Sequence, residues 1–416
     1  MKKIMLLLVA ALCIMPTTAA KKSKKIDFNA EAAAVYDQMV EFRRDLHMYP
    51  ELGADLPRSC GKITEILDKA GIPYIVDSQM NIIGVIEGGK PGKTLAMRAD
   101  YDALPIQEET GFEYSSKIPG VMHACGHDIH AASLLGAALI LKKHQAELPG
   151  KVYLCFQSAE ETGGGSATMI VDYIKSQGGA DGAVAFHTYG MNIPHGTYAI
   201  RSGKCLAGSI FWKMIVRGKS GHGSSPWLSI DPIKPAAEIV LRITAMQSTM
   251  FDTNEPFVVS PCMFNTSSKA GNIIPEEVTI EGSIRYFTPE HMTAVPERIG
   301  KIANDVAASY GATVEFLPGI EGSNKPTINS PEAADRATRV VKGLGKEVVE
   351  KVVEMGSDDF SEFLYAFGGI YIFTGIKMPD QPLNPHHASK FNPDERSIED
   401  NIAVFCAYAF DHNAEN

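Results

Sequence analysis

The sequence has no excess of basic charge: 39 lysines and arginines stand against 49 aspartates and glutamates, for a formal net charge of −10. With no basic stripe and no nucleic-acid motif, the composition argues against a polyanion partner. The chain also lacks an apolar run of the roughly 20 residues that a membrane span needs. Its apolar stretch at residues 4–15 is shorter, follows Met1-Lys2-Lys3 and precedes Thr18-Ala19-Ala20. A basic start, a short apolar centre and small residues at a cut describe a secretory signal peptide over residues 1–20, cleaved near Ala20. A lipid anchor at Cys13 would want a small residue before it, and Leu12 stands there. The expectation is an exported protein, periplasmic or secreted, with no membrane span.

Cysteine is sparse. Beyond Cys13 there are Cys60, Cys125, Cys155, Cys205, Cys262 and Cys406, too scattered for a disulfide framework, so mostly buried free thiols are expected. A phosphate loop is missing too. The cluster Gly88-Gly89-Lys90-Pro91-Gly92 has no Lys-Ser/Thr ending and reads as a turn.

What the chain does have is length and pattern. At 416 residues and 45% hydrophobic content it exceeds one ordinary domain. Helices are predicted at 32–46 and 63–70, then strands at 81–86, 94–98, 152–157 and 183–187 with helices at 131–141 and 167–176 between them. Such alternation implies a largely parallel sheet. The order changes after Tyr198: strand 209–216, helix 232–247, strands 257–264 and 278–286, helix 289–310 and strand 313–317. This is the β-α-β-β-α-β order of a ferredoxin-like unit. Helices at 331–344 and 359–367, a strand at 369–373 and a helix from 398 resume the first pattern. The predicted fold class is α/β, with a mostly parallel sheet domain made of residues 27–198 and 319–416. A ferredoxin-like insert, residues 199–318, interrupts it.

The chemistry centres on Val121-Met-His-Ala-Cys-Gly-His-Asp128, where Cys125 and His127 offer a thiolate and an imidazole to a borderline metal such as zinc. Alone, a cysteine is usually a small buried apolar group. Further donors sit where they could converge: Glu160-Glu161 after the strand at 152–157, His187 at the end of the strand at 183–187, and His386-His387 in a Pro-rich loop. Asp100 and Asp102 follow the strand at 94–98. In open α/β sheets the carboxyl ends of parallel strands share one crevice, so residues far apart in sequence can meet there. An acidic pair is ordinarily solvated surface. After a buried strand, Glu160 and Glu161 can divide the work, one binding metal and the other facing a water, since successive side chains on extended backbone diverge.

These residues resemble the co-catalytic metallohydrolases that include aminoacylases, hippurate hydrolases and the auxin-conjugate (IAA-amino acid) amidohydrolases. The resemblance rests on Phe42-Arg-Arg-Asp-Leu-His47 with Pro50-Glu51-Leu52, Arg98-Ala-Asp-Tyr-Asp-Ala-Leu-Pro105, Met122-His-Ala-Cys-Gly-His-Asp128 and Phe156-Gln-Ser-Ala-Glu-Glu161. It continues through Gly218-Lys-Ser-Gly-His222, Asn272-Ile-Ile-Pro275, Gly282-Ser-Ile-Arg285, Met355-Gly-Ser-Asp-Asp-Phe360, and His387 ahead of Phe391. It implies Cys125, His127, Glu161, His187 and His387 as ligands of two divalent metal ions, and Glu160 as general base. His387 is preferred to His386 because the family's ligand stands four residues before the Phe. Asp102 resembles a carboxylate that orients a ligand, while Asp100 stands where many relatives carry a ligating His. The insert resembles the family's lid and dimerisation domain, with His222, Asn272 and Arg285 as substrate-binding groups and His222 commonly reaching the partner subunit's site. Ser158, Trp227 and Ala388-Ser389 depart from the family pattern without removing a ligand.

The implied activity is a metal-dependent amidohydrolase that cleaves the amide of N-acyl or N-aroyl amino acids or similar small conjugates. Zinc or manganese is the expected metal, with cobalt or nickel also compatible with such ligands. A small-molecule amide substrate and a homodimer through the insert are implied as partners. A dipeptidase or an N-acetyl amino-acid deacetylase is the nearest alternative. A non-catalytic exported peptide or amino-acid binding protein is the alternative of another class, and an intact Glu160 argues against it.

Overall fold

The computed structural model describes residues 26–162, 165–320 and 322–414; the signal peptide read over residues 1–20 lies outside them. An eight-stranded sheet runs in the order Tyr74–Val76, Ile82–Glu87, Pro149–Gln157, Lys90–Asp100, Gly182–Pro194, Gly369–Lys377, Thr197–Ile200, Glu347–Glu350. Its four central strands, Pro149–Gln157 to Gly369–Lys377, are mutually parallel. Antiparallel pairing is confined to the flanks, at Tyr74–Val76, Ile82–Glu87 and Thr197–Ile200.

Alternate residues of the central strands feed two cores. Leu95, Met97, Leu154, Phe156, Val184, Phe186 and Ile372 face the helices Phe28–Met48, His127–Lys143 and Ser397–Asn413. Ala96, Tyr153, Cys155, Ala185, Tyr371 and Phe373 face the helices Ser166–Ser176 and Ser361–Phe367. Burial on both faces explains why these strands are apolar throughout rather than alternating. Helix His127–Lys143 is buried along nearly its whole length, which leaves it with little amphipathic character.

A second, four-stranded antiparallel sheet has the order Phe257–Thr266, Glu277–Tyr286, Gly208–Arg217, Thr313–Pro318. Strand Glu277–Tyr286 alternates strictly between buried and half-exposed residues, the signature of a sheet covered on one face. The cover is helices Ile233–Met250 and His291–Ser309, which close a separate core around Ile210, Ile239, Ile280 and Ile299. The connectivity is β-α-β-β-α-β, the ferredoxin-like arrangement.

Each predicted helix and strand has its counterpart, within four residues at the ends except that the helix read at 63–70 begins at Pro57 and the strand read at 183–187 runs on to Pro194. The short strands Tyr74–Val76, Thr197–Ile200 and Glu347–Glu350 were not legible, nor were the ribbons pairing Gly203–Leu206 with Thr327–Asn329 and Gly221–His222 with Ile273–Ile274. Segments of two to four residues are too short to carry a period. Because Thr197–Ile200 belongs to the large sheet, the crossing to the smaller one falls beyond Tyr198. The six described cysteines are free; five are buried and Cys262 is exposed. No described helix is long and apolar enough to cross a membrane.

Candidate metal centre

Four loops at one end of the parallel strands build the site. Strand Lys90–Asp100 delivers Asp100 and, two residues on, Asp102. Strand Pro149–Gln157 leads through Ala159 to Glu160 and Glu161, and strand Gly182–Pro194 carries His187. Cys125 and His127 flank Gly126 at the start of helix His127–Lys143. Gly126 has φ +89, and a Cβ there would lie 2.6 Å from Thr188 Oγ1. Only glycine serves that position, because the backbone is left-handed and pressed against the neighbouring strand. Thr188 Oγ1 donates to the Cys125 carbonyl at 2.8 Å, tying the loop to the strand that holds His187.

The donors converge. Cys125 Sγ lies 3.5 Å from His187 Nε2, His387 Nε2 3.4 Å from Glu161 Oε1, and His127 Nε2 3.8 Å from the same Glu161 oxygen. Ligand atoms of Cys125, His127 and His187 fall within 4.8 Å of one another, as do those of Cys125, Glu161 and His387. Cys125 belongs to both groups, so the set has room for two cations sharing the thiolate side. Two of the imidazoles, those of His127 and His187, are turned by a partner on the far nitrogen. His127 Nδ1 bonds Asp102 Oδ1 at 3.3 Å, and His187 Nδ1 donates to the Thr188 carbonyl at 2.6 Å. The second Asp102 oxygen accepts the Glu161 amide at 3.1 Å, so one carboxylate orients two of the donors.

Buried atoms without hydrogen-bond partners include His127 Nε2 and Glu161 Oε1, both facing the cluster. Buried polar atoms are ordinarily satisfied, and a cation is the partner that suits a ring nitrogen, a carboxylate oxygen and a thiolate together. The residues therefore fit a pair of divalent metal ions. Burial, with crowding by His130 and His386, holds the His187 imidazole well below its ordinary range, in the neutral form that ligation uses. Burial pushes the Cys125 thiol up, and so do Glu161 and Glu160, a surplus of negative charge that cations would relieve. Burial opposes the charged form of His127, yet Asp100 and Asp102 raise it to about 10.

Asp100 is occupied. Its oxygens lie 2.7 Å from Arg98 Nη1 and 2.5 Å from His130 Nδ1, while His127 Nε2 is 3.6 Å away. Glu160 borders the cluster on the other side, within 4.8 Å of His127 and Glu161, and of Asp358 and Asp359. Asp358 accepts the Tyr371 hydroxyl, and Asp359 accepts Gln157 at 2.8 Å and Arg98 at 3.1 Å. Burial and the Asp358 carboxylate push the Glu160 carboxyl up.

One expectation needs correction. Glu160 and Glu161 stand in a turn, separated from the strand by Ser158 and Ala159, and not on extended backbone. Ala159, just before them, is left-handed at φ +55, and so is His387, at φ +59. Each such non-glycine residue costs about 1 kcal/mol or more, strain of the kind that accumulates at functional sites.

A cavity of about 780 Å³ opens on the cluster, lined by Cys125, Glu160, Glu161, His187 and His387, with Arg285 on its wall. Arg285 Nη1 donates to Ser357 Oγ at 2.7 Å. His222 and Asn272 are not brought there. They adjoin each other, Gly223 N donating to the Asn272 carbonyl at 2.8 Å, but both are exposed and neither lines the cavity of its own chain. Of the three substrate-binding residues expected, only Arg285 reaches the site within one subunit. His386 is half-buried beside His187 and bonded to Thr188 Oγ1 at 3.0 Å, outside the donor groups that contain His387. Sequence reading overlooked His130, whose signal was its place three residues after His127 on one helix face. Thr188 carried no local signal, and the Asp358-Asp359 pair lay within the Met355-Gly-Ser-Asp-Asp-Phe360 block without a role of its own.

The model of peptidase family M20/M25/M40 matches residues 96–411. The chain is 36% identical over 366 residues to thermostable carboxypeptidase 1 of Saccharolobus solfataricus, covering 87% of this chain and 92% of that one. It is 34% identical over 409 residues to IAA-amino acid hydrolase ILR1-like 2 of Arabidopsis thaliana, covering 97% and 91%. Among solved structures, the Bacillus subtilis YXEP protein, a dinuclear metal-binding peptidase of the M20 family, superposes with TM-score 0.77 at 29% identity, covering 91% and 98%.

Proposed function

Since the chain belongs to peptidase family M20/M25/M40, we propose that it is a metal-dependent amidohydrolase cleaving the amide of N-acyl or N-aroyl amino acids and similar small conjugates. The observation that carries this is the convergence of Cys125, His127, Glu161, His187 and His387 in one cluster, all but His127 lining the cavity, with Glu160 beside them and bonded to none. The carboxypeptidase and conjugate-hydrolase relatives named above cleave amides next to an amino acid, which supports the same substrate class.

Those five residues would hold two divalent cations, zinc or manganese by donor type, which when bound polarise the amide carbonyl and acidify the attacking water. Glu160 accepts the proton of that water and passes it to the leaving amine nitrogen. Its carboxyl suits both transfers, because burial and Asp358 raise its affinity for a proton. Asp102 keeps His127 and Glu161 aimed at the cavity. Arg285, which forms no ion pair among the described residues, binds the carboxylate of the amino-acid portion. Partial burial takes solvation from this guanidinium without removing its charge, so a carboxylate partner there is favoured.

Replacing Glu160 by Ala tests this. The variant is expected to retain its metal content, measured by elemental analysis, and to lose at least about a thousandfold in turnover of N-acyl amino acids. Turnover near the unsubstituted level with metal retained would remove Glu160 from the role, and a protein with no hydrolysis before substitution would leave the binding-protein alternative.

A further inference from the structure

One wall of the cavity contains a charge pair that the hydrolytic chemistry does not use. Lys351 has no solvent exposure, and its ammonium donates to the Val352 carbonyl at 2.6 Å and to the Glu354 carboxylate. It also lies 4.5 Å from the centroid of the Phe373 ring and 4.7 Å from that of Tyr189. An apolar residue would fill such a place at lower cost, because a buried ammonium is tolerated only when it is paired. What the pair accomplishes is to fix Glu354, whose side chain stays 39% exposed and lines the cavity. The main chain is held as well: Glu354 N donates to the Cys205 carbonyl at 3.3 Å, and its own carbonyl accepts Ala207 N at 3.1 Å.

The rings line one wall of the cavity as tilted neighbours, at 39° between His187 and Phe373 and 62° between Phe373 and Tyr189. The Phe373 ring lies 6.1 Å from that of His187 in the metal centre and 5.5 Å from that of Tyr189, and both aromatics line the cavity. The scissile carbonyl must face the metal ligands, so the group attached to it lies along the wall that begins beside His187. The amino-acid carboxylate meanwhile takes Arg285. With Lys351 already against both rings, a second cation is repelled there. Glu354 repels an anion. A neutral flat group that carries a hydrogen-bond donor suits both, and about 780 Å³ is more room than an acetyl group fills.

We propose that Glu354, fixed by Lys351, is a specificity-determining residue that accepts a hydrogen bond from an N–H or O–H on a flat aryl-containing acyl group seated against Phe373 and Tyr189. This rests on the amidohydrolase reading above and adds the acyl class to it.

The test compares 4-hydroxyphenylacetyl-glycine with 4-methylphenylacetyl-glycine, which match in shape, with N-acetylglycine as a third substrate, all on the metal-loaded enzyme. The hydroxyl substrate is expected to be preferred about tenfold in kcat/KM, the scale of one hydrogen bond to a charged acceptor. Glu354→Leu should bring that ratio near one. The double variant Lys351→Met with Glu354→Leu should do the same without leaving a buried lysine unpaired, and both should turn over N-acetylglycine within about threefold of the unsubstituted enzyme. Equal rates on the two aryl substrates, or a preference that survives both variants, overturns the subsite while leaving the amidohydrolase intact. Failure to cleave any of the three overturns the proposed function and the subsite with it.

Discussion

His47 shows how a single side chain can carry charge deep inside this fold. Its Nδ1 lies 2.8 Å from Asp128 Oδ2 and its Nε2 3.3 Å from Glu108 Oε1, with both partners buried. Asp128 also meets Arg43 Nε at 2.6 Å, and it directly follows His127. The loop that presents two metal donors is thus anchored from behind by a buried ion network. Burial alone would raise the Glu108 carboxyl, but His47, the Ser116 amide at 2.6 Å and the Thr110 hydroxyl hold it at about 2. A carboxyl whose folded value lies below its unfolded value of 4.5 stabilises the folded chain above pH 4.5. That contribution is lost as pH falls through about 2. The melting temperature is therefore expected to drop between pH 4.5 and pH 2, and Glu108→Gln should flatten the drop in that window. An identical pH profile in the variant would take Glu108 out of the acid response.

At the scale of elements, the site depends on the turn into helix His127–Lys143. Gly126 sets the direction in which Cys125 leaves and His127 enters, and Thr188 occupies the space a side chain would need. Gly126→Ala combines a left-handed backbone with a contact of 2.6 Å, so the turn must move away from strand Gly182–Pro194. A loss of about 1–3 kcal/mol in stability is expected, together with weakened metal affinity, readable by denaturant melts and by metal titration. Unchanged metal affinity would mean that the donor loop does not rely on this turn. Legibility differed among elements for a physical reason. Long buried strands and helices announce themselves by composition and period, as at Pro149–Gln157 and Ser397–Asn413. The left-handed Ala159 that precedes Glu160, and the three-residue strand Tyr74–Val76, follow from neighbours and carry no pattern of their own.

For the whole molecule, the placement of His222 is the open geometrical fact. It sits beside Asn272 on an exposed two-stranded ribbon of the smaller unit, near Trp227, which is 76% exposed, and does not line its own chain's cavity. We propose that the smaller unit pairs with a second copy and that His222 completes the partner's site. In a two-fold dimer, mixing the His222→Ala and Glu160→Ala chains places one intact site in each mixed dimer. About a quarter of full activity should then return on re-association, although each variant alone is nearly inactive. No recovery, with mixed dimers demonstrated by mass, would confine His222 to its own subunit or remove it from catalysis.

The sequence by itself determined the long strands and helices and their order along the chain, because buried strands must be apolar, and through the family resemblance it offered Cys125, His127, Glu161, His187 and His387 as candidate donors, thiolate, imidazole and carboxylate being the side chains that bind such ions. Tertiary structure alone decided which donors meet, that Asp100 is neutralised by Arg98 and His130, that Arg285 faces the cavity while His222 does not, and that Lys351 holds Glu354 at its wall. Some of those relations span two or three positions, as for Arg98 with Asp100 and Lys351 with Glu354, and others span tens to hundreds. They depend on the order of strands and the angles of turns, which arise only when the chain packs.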